Sequence, residues 1–406
     1  MYRPVTLLSI SFCALSTFTS HFVWARPCVA FDIQWNLLAF GFDGKDFSAG
    51  TQDTWASGST TDITTSGRPP FDGANTTCYL SQFANAIYVM NGDASNPASV
   101  HIYDATAKSW STQATNTAGF DPTDATAILD HDTNVFCMAF TVIMDYFDVL
   151  TIGSVDAISK GEMWSLNMDL LKQANSTAID WLDNKAVEFP TDGYQPVMAL
   201  AQNHIHFLNV PGSPPSSANI FVIHFSFFQP EPQSYGNFPA THGRAFDIFK
   251  NEGVQTEFAF IPDDGSATYI INVERNDTQT LPGPSTKDPL ATYFASPSAL
   301  VQLSPSTSSV TFFPYDPSNR GANSNAAWSS IPALAQKAVA ATGGGPSGTA
   351  AAASSSSTAT SAKGSSATGG ATKANQGGDA NGSRHLFEMA GLYVVVGVIG
   401  MMAVLL

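Results

Sequence analysis

The strongest constraint on the fold is a repeat of about 50 residues that runs through the first 330 residues. Short apolar runs of strand length, separated by Gly, Pro, Asn, Asp and Ser, lead each time to a closing residue that is aromatic or β-branched. The closing residues are Trp55, Trp110, Trp181, Tyr235, Thr280 and Trp328, at spacings of 55, 71, 54, 45 and 48. This period predicts an all-β fold, a β-propeller over residues 26–339, because small sheets can bury both faces only by stacking in a ring.

Six units favour six blades, with seven as the alternative. The competing fold is a β-sandwich, in which two sheets pack face to face. A sandwich gives turn signals every 8 to 12 residues but no superimposed period near 50, so we favour the propeller.

The clearest unit runs from Asn85 to Trp110 and resembles a kelch-type propeller blade. It has a strand that ends in Asn91-Gly92, a second strand Val100–Asp104 with a Tyr-Asp end, and Trp110 seven residues after the Tyr. A kelch blade usually has Gly-Gly where this chain has Asn91-Gly92. The phrases 203–211 and 261–269 resemble an uncharacterised group of surface proteins in mushroom-forming fungi, a resemblance that brings no known activity.

One interval, between Trp110 and Trp181, exceeds the period by about 20 residues. The excess falls on residues 138–160, which are strongly apolar. We interpret this segment as a blade insertion or as an error in the gene model, such as a translated intron.

The two ends of the chain predict export and anchoring. Residues 1–25 have the layout of a signal peptide, with Arg3, an apolar core and a small-residue pattern before Arg26. Residues 384–406 end in an apolar tail with no charge after it, behind small residues and a short polar spacer, as in a GPI-attachment signal. Asn381 is the preferred attachment residue and Gly378 the fallback, while a single transmembrane helix is the alternative.

Residues 340–383 are rich in Ser, Ala and Gly and cannot form a core, so they predict a disordered stalk. As a flexible coil, such a stalk would separate the domain from its anchor by about 40 Å. The sequence therefore predicts display on the outer face of the plasma membrane or in the cell wall.

A net charge of −16 makes nucleic acid an unlikely partner, because phosphate binding needs clustered Lys and Arg. Of the four Cys, Cys13 lies in the predicted signal peptide. In an oxidising compartment we expect a disulfide between Cys28 and Cys78, with Cys137 as a buried thiol. Three Asn-X-Thr sequons predict N-glycans, at Asn75, Asn175 and Asn276.

His204 and His206 are two apart on a predicted strand, so their rings share a face, and His224 lies on the expected neighbouring strand. The three could bind a metal ion, but no acidic ligand completes a spacing motif, so we favour a polar blade face and predict no cofactor. The acidic turns 130–134 and 263–266 are weak calcium candidates, because such residues also suit a plain turn.

The sequence contains no G-x-S-x-G, HExxH or P-loop motif, and we assign no catalytic residue. The kelch resemblance extends to copper radical oxidases, whose chemistry needs a Tyr-Cys crosslink, a second Tyr and two His. No motif in this sequence matches that set. The leading hypothesis is a binding module for an extracellular glycan or protein, with Phe227, Phe228 and Tyr235 as aromatics that could stack on sugars. The alternatives are a carbohydrate-active enzyme that uses the propeller channel and a structural wall protein.

Overall fold

The structure is a computed structural model that describes residues 26–73, 75–117, 121–130, 135–140, 162–223, 226–307 and 309–335. The predicted signal peptide, stalk and C-terminal tail lie outside these residues, as do Asn381, Gly378, His224 and most of the long interval. Among the residues described, no helix is long and apolar enough to cross a membrane.

The described residues form six antiparallel sheets that follow one another along the chain. Blade 1 consists of β1 (Cys28–Phe31), β2 (Leu37–Phe42), β3 (Lys45–Gly50) and β4 (Thr61–Asp62). Blade 2 consists of β5 (Thr77–Ser81), β6 (Ala86–Met90), β7 (Val100–Asp104) and β8 (Ser109–Gln113). Blade 3 consists of β10 (Ala125–Asp130), β11 (Val135–Phe140), β12 (Glu162–Asn167) and β13 (Ile179–Ala186), to which the short β9 (Thr115–Asn116) adds in parallel.

Blade 4 consists of β14 (Val197–Ala201), β15 (His204–Leu208) and β16 (Ser217–Val222), with an outer edge made by β17 (Phe227–Phe228) and β18 (Gln233–Ser234). Blade 5 consists of β19 (Gly243–Asp247), β20 (Glu257–Pro262), β21 (Ala267–Asn272) and β22 (Asp277–Pro282). Blade 6 consists of β23 (Thr292–Ala295), β24 (Ala299–Ser304), β25 (Ser309–Pro314) and β26 (Ser329–Ser330). Short helical segments complete the description: 3-10 turns at Gln52–Ser57 and Pro122–Asp124, α1 at Arg320–Asn325, and the helical residues 332–335.

The first strands of the six blades form a closed ring around a central axis. Each of β1, β5, β10, β14, β19 and β23 contacts the first strand of the next blade, and β23 returns to contact β1. The described residues therefore form a six-bladed β-propeller, which confirms the predicted fold and shows that the β-sandwich alternative is wrong.

Blades 1 and 6 are each made from one continuous stretch of chain. In the described residues, therefore, no strand from one end of the chain completes a blade at the other end. Aromatic packing holds this seam together. The ring centroids of Trp55 and Phe312 are 4.9 Å apart, and those of Phe31 and Phe294 are 6.0 Å apart. One hydrophobic cluster spans both blades, so burial of apolar surface is what closes the circle.

The closing aromatics all lie at or beside the fourth strand of a blade, except that Trp55 lies in the 3-10 turn that precedes β4. In blade 1, however, Leu37–Phe42 is the second strand, and the third strand begins with Lys45-Asp46. Asp46 is fully buried because Arg68 donates two hydrogen bonds to its carboxylate, at 3.0 and 2.8 Å. Because a buried strand is recognised in a sequence by its run of apolar residues, a charged residue such as Asp46 makes β3 difficult to recognise.

Asn91 and Gly92 form a closely packed turn at the end of β6. Asn91 has φ of 51°, a left-handed conformation that Asn tolerates better than most side chains. A Cβ atom on Gly92 would lie 3.1 Å from both Pro69 and Val89, so the absence of a side chain there permits close packing.

The long interval in blade 3 begins later than the sequence indicates. Met138, Ala139 and Phe140 belong to β11 and pair with β10, and the first two also pair with β12. Residues 141–160 lie outside the described part of the chain.

A disulfide joins Cys28 in β1 to Cys78 in β5, with the two Cα atoms 5.9 Å apart. It links the first strands of blades 1 and 2 and closes a loop of 50 residues. The bond therefore lies beside the axis, one blade away from the seam that packing must hold.

We expect that replacing both residues, C28S/C78S, lowers the free energy of unfolding by about 2 to 4 kcal/mol, because the unfolded chain regains the entropy of an open loop. Urea unfolding checks this, and a reductant should destabilise the native protein but leave the double variant unchanged. Equal midpoints for native protein and variant under oxidising conditions would contradict the expectation.

Candidate binding site in the axial cavity

The axial channel is closed at the face where the first strands end, which we call the closed face. Trp35 of blade 1 donates from Nε1 to Asn251 Oδ1 of blade 5 at 2.7 Å. Gln82 of blade 2 donates from Nε2 to the Lys250 carbonyl of blade 5 at 3.0 Å. Blades 2 and 5 are opposite each other in a ring of six, so these loops cross the axis.

Phe249 fills the space beneath the crossing loops. Its side chain is buried, stacks on Phe294 of blade 6 at 5.7 Å and lies 6.1 Å from the ring of Trp35. Aromatic rings from three blades thus meet at the axis and seal this end of the channel.

The opposite end, where the first strands begin, remains open and contains a cavity of about 350 Å³. We call this side the open face and the space the axial cavity. Its walls come from the first strands and the loops that enter them, including Tyr79, Ala127, Arg244, Asp247 and Tyr293. The size and the mixture of aromatic and polar groups are typical of small-molecule sites.

Tyr79 and Asp247 face each other across the cavity from blades 2 and 5. The Tyr79 hydroxyl donates to the Ala127 carbonyl at 3.2 Å, and the Leu200 amide donates to Asp247 Oδ1 at 2.5 Å. Burial raises the pKa of Tyr79 well above its ordinary value, and the Asp247 carboxylate adds to this rise. Tyr79 therefore remains a neutral hydrogen-bonding group across the physiological range.

Two of the chain's few basic residues, Arg26 and Arg244, line the mouth of the cavity. Arg244 is exposed and contacts the Pro289 carbonyl at 3.4 Å. In the cavity wall, burial raises the pKa of Tyr293 to about 12, and Gln302 donates to its hydroxyl at 3.1 Å. The cavity thus offers cationic groups at its entrance and neutral hydroxyls inside.

The predicted glycosylation residues lie on both faces. Asn75 is exposed at the rim of the axial cavity, where its amide donates to the Thr123 carbonyl at 2.9 Å. Asn175 is exposed between β12 and β13, and Asn276 is half-buried in the turn between β21 and β22. A glycan on Asn75 would stand beside the cavity mouth.

His206 is built into the blade core and uses both ring nitrogens. Nδ1 lies 3.1 Å from the His204 carbonyl, which only accepts, so Nδ1 carries the proton and Nε2 accepts from the Tyr235 hydroxyl at 3.0 Å. Burial, with a smaller effect of His204, lowers the pKa of His206 to about 3. His206 is therefore a neutral structural residue at physiological pH.

His204 lies with its ring centroid 6.5 Å from that of His206, whereas His224 lies outside the described residues. Across the described ranges, no group of three or more His, Cys, Asp or Glu is placed to hold a metal ion. In the acidic turn 263–266, Asp263 pairs with His242 Nδ1 at 2.6 Å and Asp264 accepts from the Ser266 amide at 2.8 Å, as plain turn residues do.

Of the three aromatics proposed for sugar stacking, the structure buries two. Phe228 packs among Phe189, Phe207 and Phe221, and the ring of Tyr235 is buried against His206. Phe227 alone of the three is exposed, at 41%.

The sequence analysis missed the axial cavity, because its residues come from blades far apart in the chain. Tyr79 and Asp247 are each unremarkable within their own strand. The available signal was the polar residues in several first strands, such as Tyr79 in β5 and Arg244 and Asp247 in β19, since first strands line the axis of a propeller.

Comparison with known proteins adds little to this geometry. The sequence matches no protein-family profile and no curated protein. Among solved structures, the chain is similar to a chain in the crystal structure of a nidogen/laminin complex, with a TM-score of 0.38 and 7% identity over 64% of this chain and 81% of the other. The fold assignment depends on the strand pairing alone.

The buried neutral His206 makes stability sensitive to acid. A His in the unfolded chain has a pKa of about 6.5. Below that pH the unfolded chain binds a proton at this position, whereas buried His206 stays unprotonated in the folded protein. The contribution of neutral His206 to the free energy of unfolding is fully present above pH 6.5. It falls by about 1.4 kcal/mol for each pH unit as the pH decreases from 6.5 toward 3. Between pH 7 and 4.5, the free energy of unfolding should therefore decrease by about 2 to 3 kcal/mol more in the native protein than in H206Q.

Urea unfolding at the two pH values measures this difference, because the acid sensitivity of all other groups is common to both proteins. An equal loss of stability in native protein and H206Q would show that His206 is not the group responsible.

Proposed function

We propose that this protein is an extracellular binding module, displayed on the cell surface by a GPI anchor, that recognises a glycan or protein at its open face. The sequence supports export, N-glycans at Asn75, Asn175 and Asn276, a stalk and lipid attachment at Asn381 or Gly378. The kelch-like blade and the similarity to fungal surface proteins agree with this role.

The observation that carries the proposal is the axial cavity. A channel sealed at one end and open at the other is a concave site, into which one part of a ligand can insert while the surrounding loops contact the rest. The described rim includes the exposed Arg244 and Leu290, the latter 51% exposed. A cation beside an apolar side chain is a common composition for a recognition surface.

The enzyme alternative receives no support from the cavity. Glycoside hydrolysis requires two carboxyl groups about 5 to 9.5 Å apart. Among the described residues that line the axial cavity, Asp247 is the single carboxylate, and it accepts a backbone hydrogen bond from Leu200. Binding without turnover fits this arrangement better than hydrolysis.

Treatment of intact cells with a phosphatidylinositol-specific phospholipase should release the full-length protein into the medium, because a GPI anchor holds the protein by lipid alone. Immunoblotting of medium and cells measures this, with a known GPI-anchored protein of the same cells as the control. Retention of this protein while the control is released would favour the transmembrane helix and contradict the anchor.

For the binding site, we expect R244A to weaken binding of the ligand by about tenfold or more, since it removes a cation from the cavity mouth. A127F should also weaken binding, because the larger side chain fills part of the cavity. Ligands come from an array of wall glycans and secreted proteins, and titration calorimetry measures the affinities.

The matched control is R320A, which removes an exposed arginine from α1, where it pairs with Asp277 at 2.8 Å. Thermal unfolding establishes that each variant is folded. Ligand binding that survives both cavity variants would place the site elsewhere, and turnover of a glycan would reinstate the enzyme hypothesis.

A further inference from the structure

A second concave site lies on the closed face, where blades 1 and 6 meet. It has a volume of about 690 Å³, within the range of small-molecule sites. Blade 1 contributes Phe31, Gln34, Trp35 and residues 51–53 and 55, and blade 6 contributes Ser296, Ser298, Phe312 and Pro314. We call this site the seam groove. No described residue lines both the seam groove and the axial cavity.

The floor of the seam groove is aromatic. Trp55 is buried between Phe312, whose ring is 4.9 Å away and edge-on, and Phe31, whose ring is 6.2 Å away and stacked. The Trp55 Nε1 donates to the Gly50 carbonyl at 3.0 Å, which fixes the ring in place. Trp35 and Phe312 are half-buried, so part of each ring faces the groove.

The rim of the seam groove is polar. Gln52 Oε1 accepts from the Ser298 hydroxyl at 2.8 Å, a hydrogen bond that spans the seam. No described residue accepts from the Gln52 amide nitrogen, so its two N–H groups can donate to a ligand. Asp53, which accepts from the Thr51 hydroxyl, and Gln34 are exposed beside it.

The charge of the seam groove selects against anions. None of the described residues that line it is Lys, Arg or His, and Asp53 gives it one negative charge. A phosphate or an acidic sugar would therefore meet repulsion without a compensating cation. A neutral ligand with hydroxyl groups at its edges and an apolar face fits both the rim and the floor.

We propose that the seam groove binds a neutral oligosaccharide, with pyranose rings packed on Trp35 and on Phe312 and sugar hydroxyls bonded to Gln52 and Asp53. This inference narrows the proposed binding function to a ligand class, but it uses a separate site. It therefore stands or falls independently of the axial cavity.

The last described strand of blade 6 runs away from the seam groove. β26 runs antiparallel to β25, and the Ile331 amide donates to the Val310 carbonyl near the start of β25. The described chain therefore leaves blade 6 toward the open face, on the side opposite the groove.

The test titrates the glycoprotein with neutral hexasaccharides of glucose, N-acetylglucosamine and mannose, followed by calorimetry and by Trp fluorescence. We expect at least one to bind with Kd below about 1 mM. Q52A and F312A should each weaken this binding by about tenfold or more. The control L182A removes an exposed apolar side chain from the outer strand of blade 3, which lines neither site, and should change nothing.

Q52A changes a rim residue and keeps the test decisive if F312A fails to fold. Absence of binding by every hexasaccharide overturns the inference. Binding that is lost in R244A but kept in Q52A overturns it too, while leaving the axial site supported. Binding of a proline-rich peptide in place of any sugar, abolished by Q52A, would show that the groove takes a protein segment instead.

Discussion

Packing between neighbouring sheets is the interaction on which the rest of this structure depends. Each blade is too thin to bury its own two faces, so its apolar residues are covered only when the next blade is in place. The same requirement applies at the seam, where no shared strand joins blades 1 and 6 in the described residues. Packing among the rings of Trp55, Phe31, Phe312 and Phe294 holds the two blades together instead. Loss of packing at one seam would expose both of the faces that meet there.

Both candidate sites are consequences of ring closure. The axial cavity exists because six first strands surround an axis. It is closed at one end because Trp35, Phe249 and Gln82, from three blades, lie across the axis at the closed face. The seam groove exists because the aromatic residues that close the ring are not fully covered at the closed face. The residues that stabilise the fold thus also form the walls of the sites.

Sequence reasoning recovered the class of fold but not the sites. The period of about 50 residues and the closing aromatics predicted a propeller of six blades, and the unit from Asn85 to Trp110 was placed almost strand for strand. The sequence gives little sign of β3, because the buried Asp46–Arg68 pair interrupts its hydrophobic pattern. The His204 and His206 pair attracted attention as ligands, yet burial makes His206 a neutral core residue.

The sequence by itself determined the repeat, the number of units and the chemical character of the ends, because strand periodicity, turn residues and charge are local properties of the chain. Only the tertiary structure decided which polar and aromatic side chains share a cavity. Tyr79 and Asp247, or Gln52 and Ser298, are separated by well over a hundred residues and meet only after the ring closes. Contacts of that kind depend on the geometry of the whole circle, which no single blade encodes.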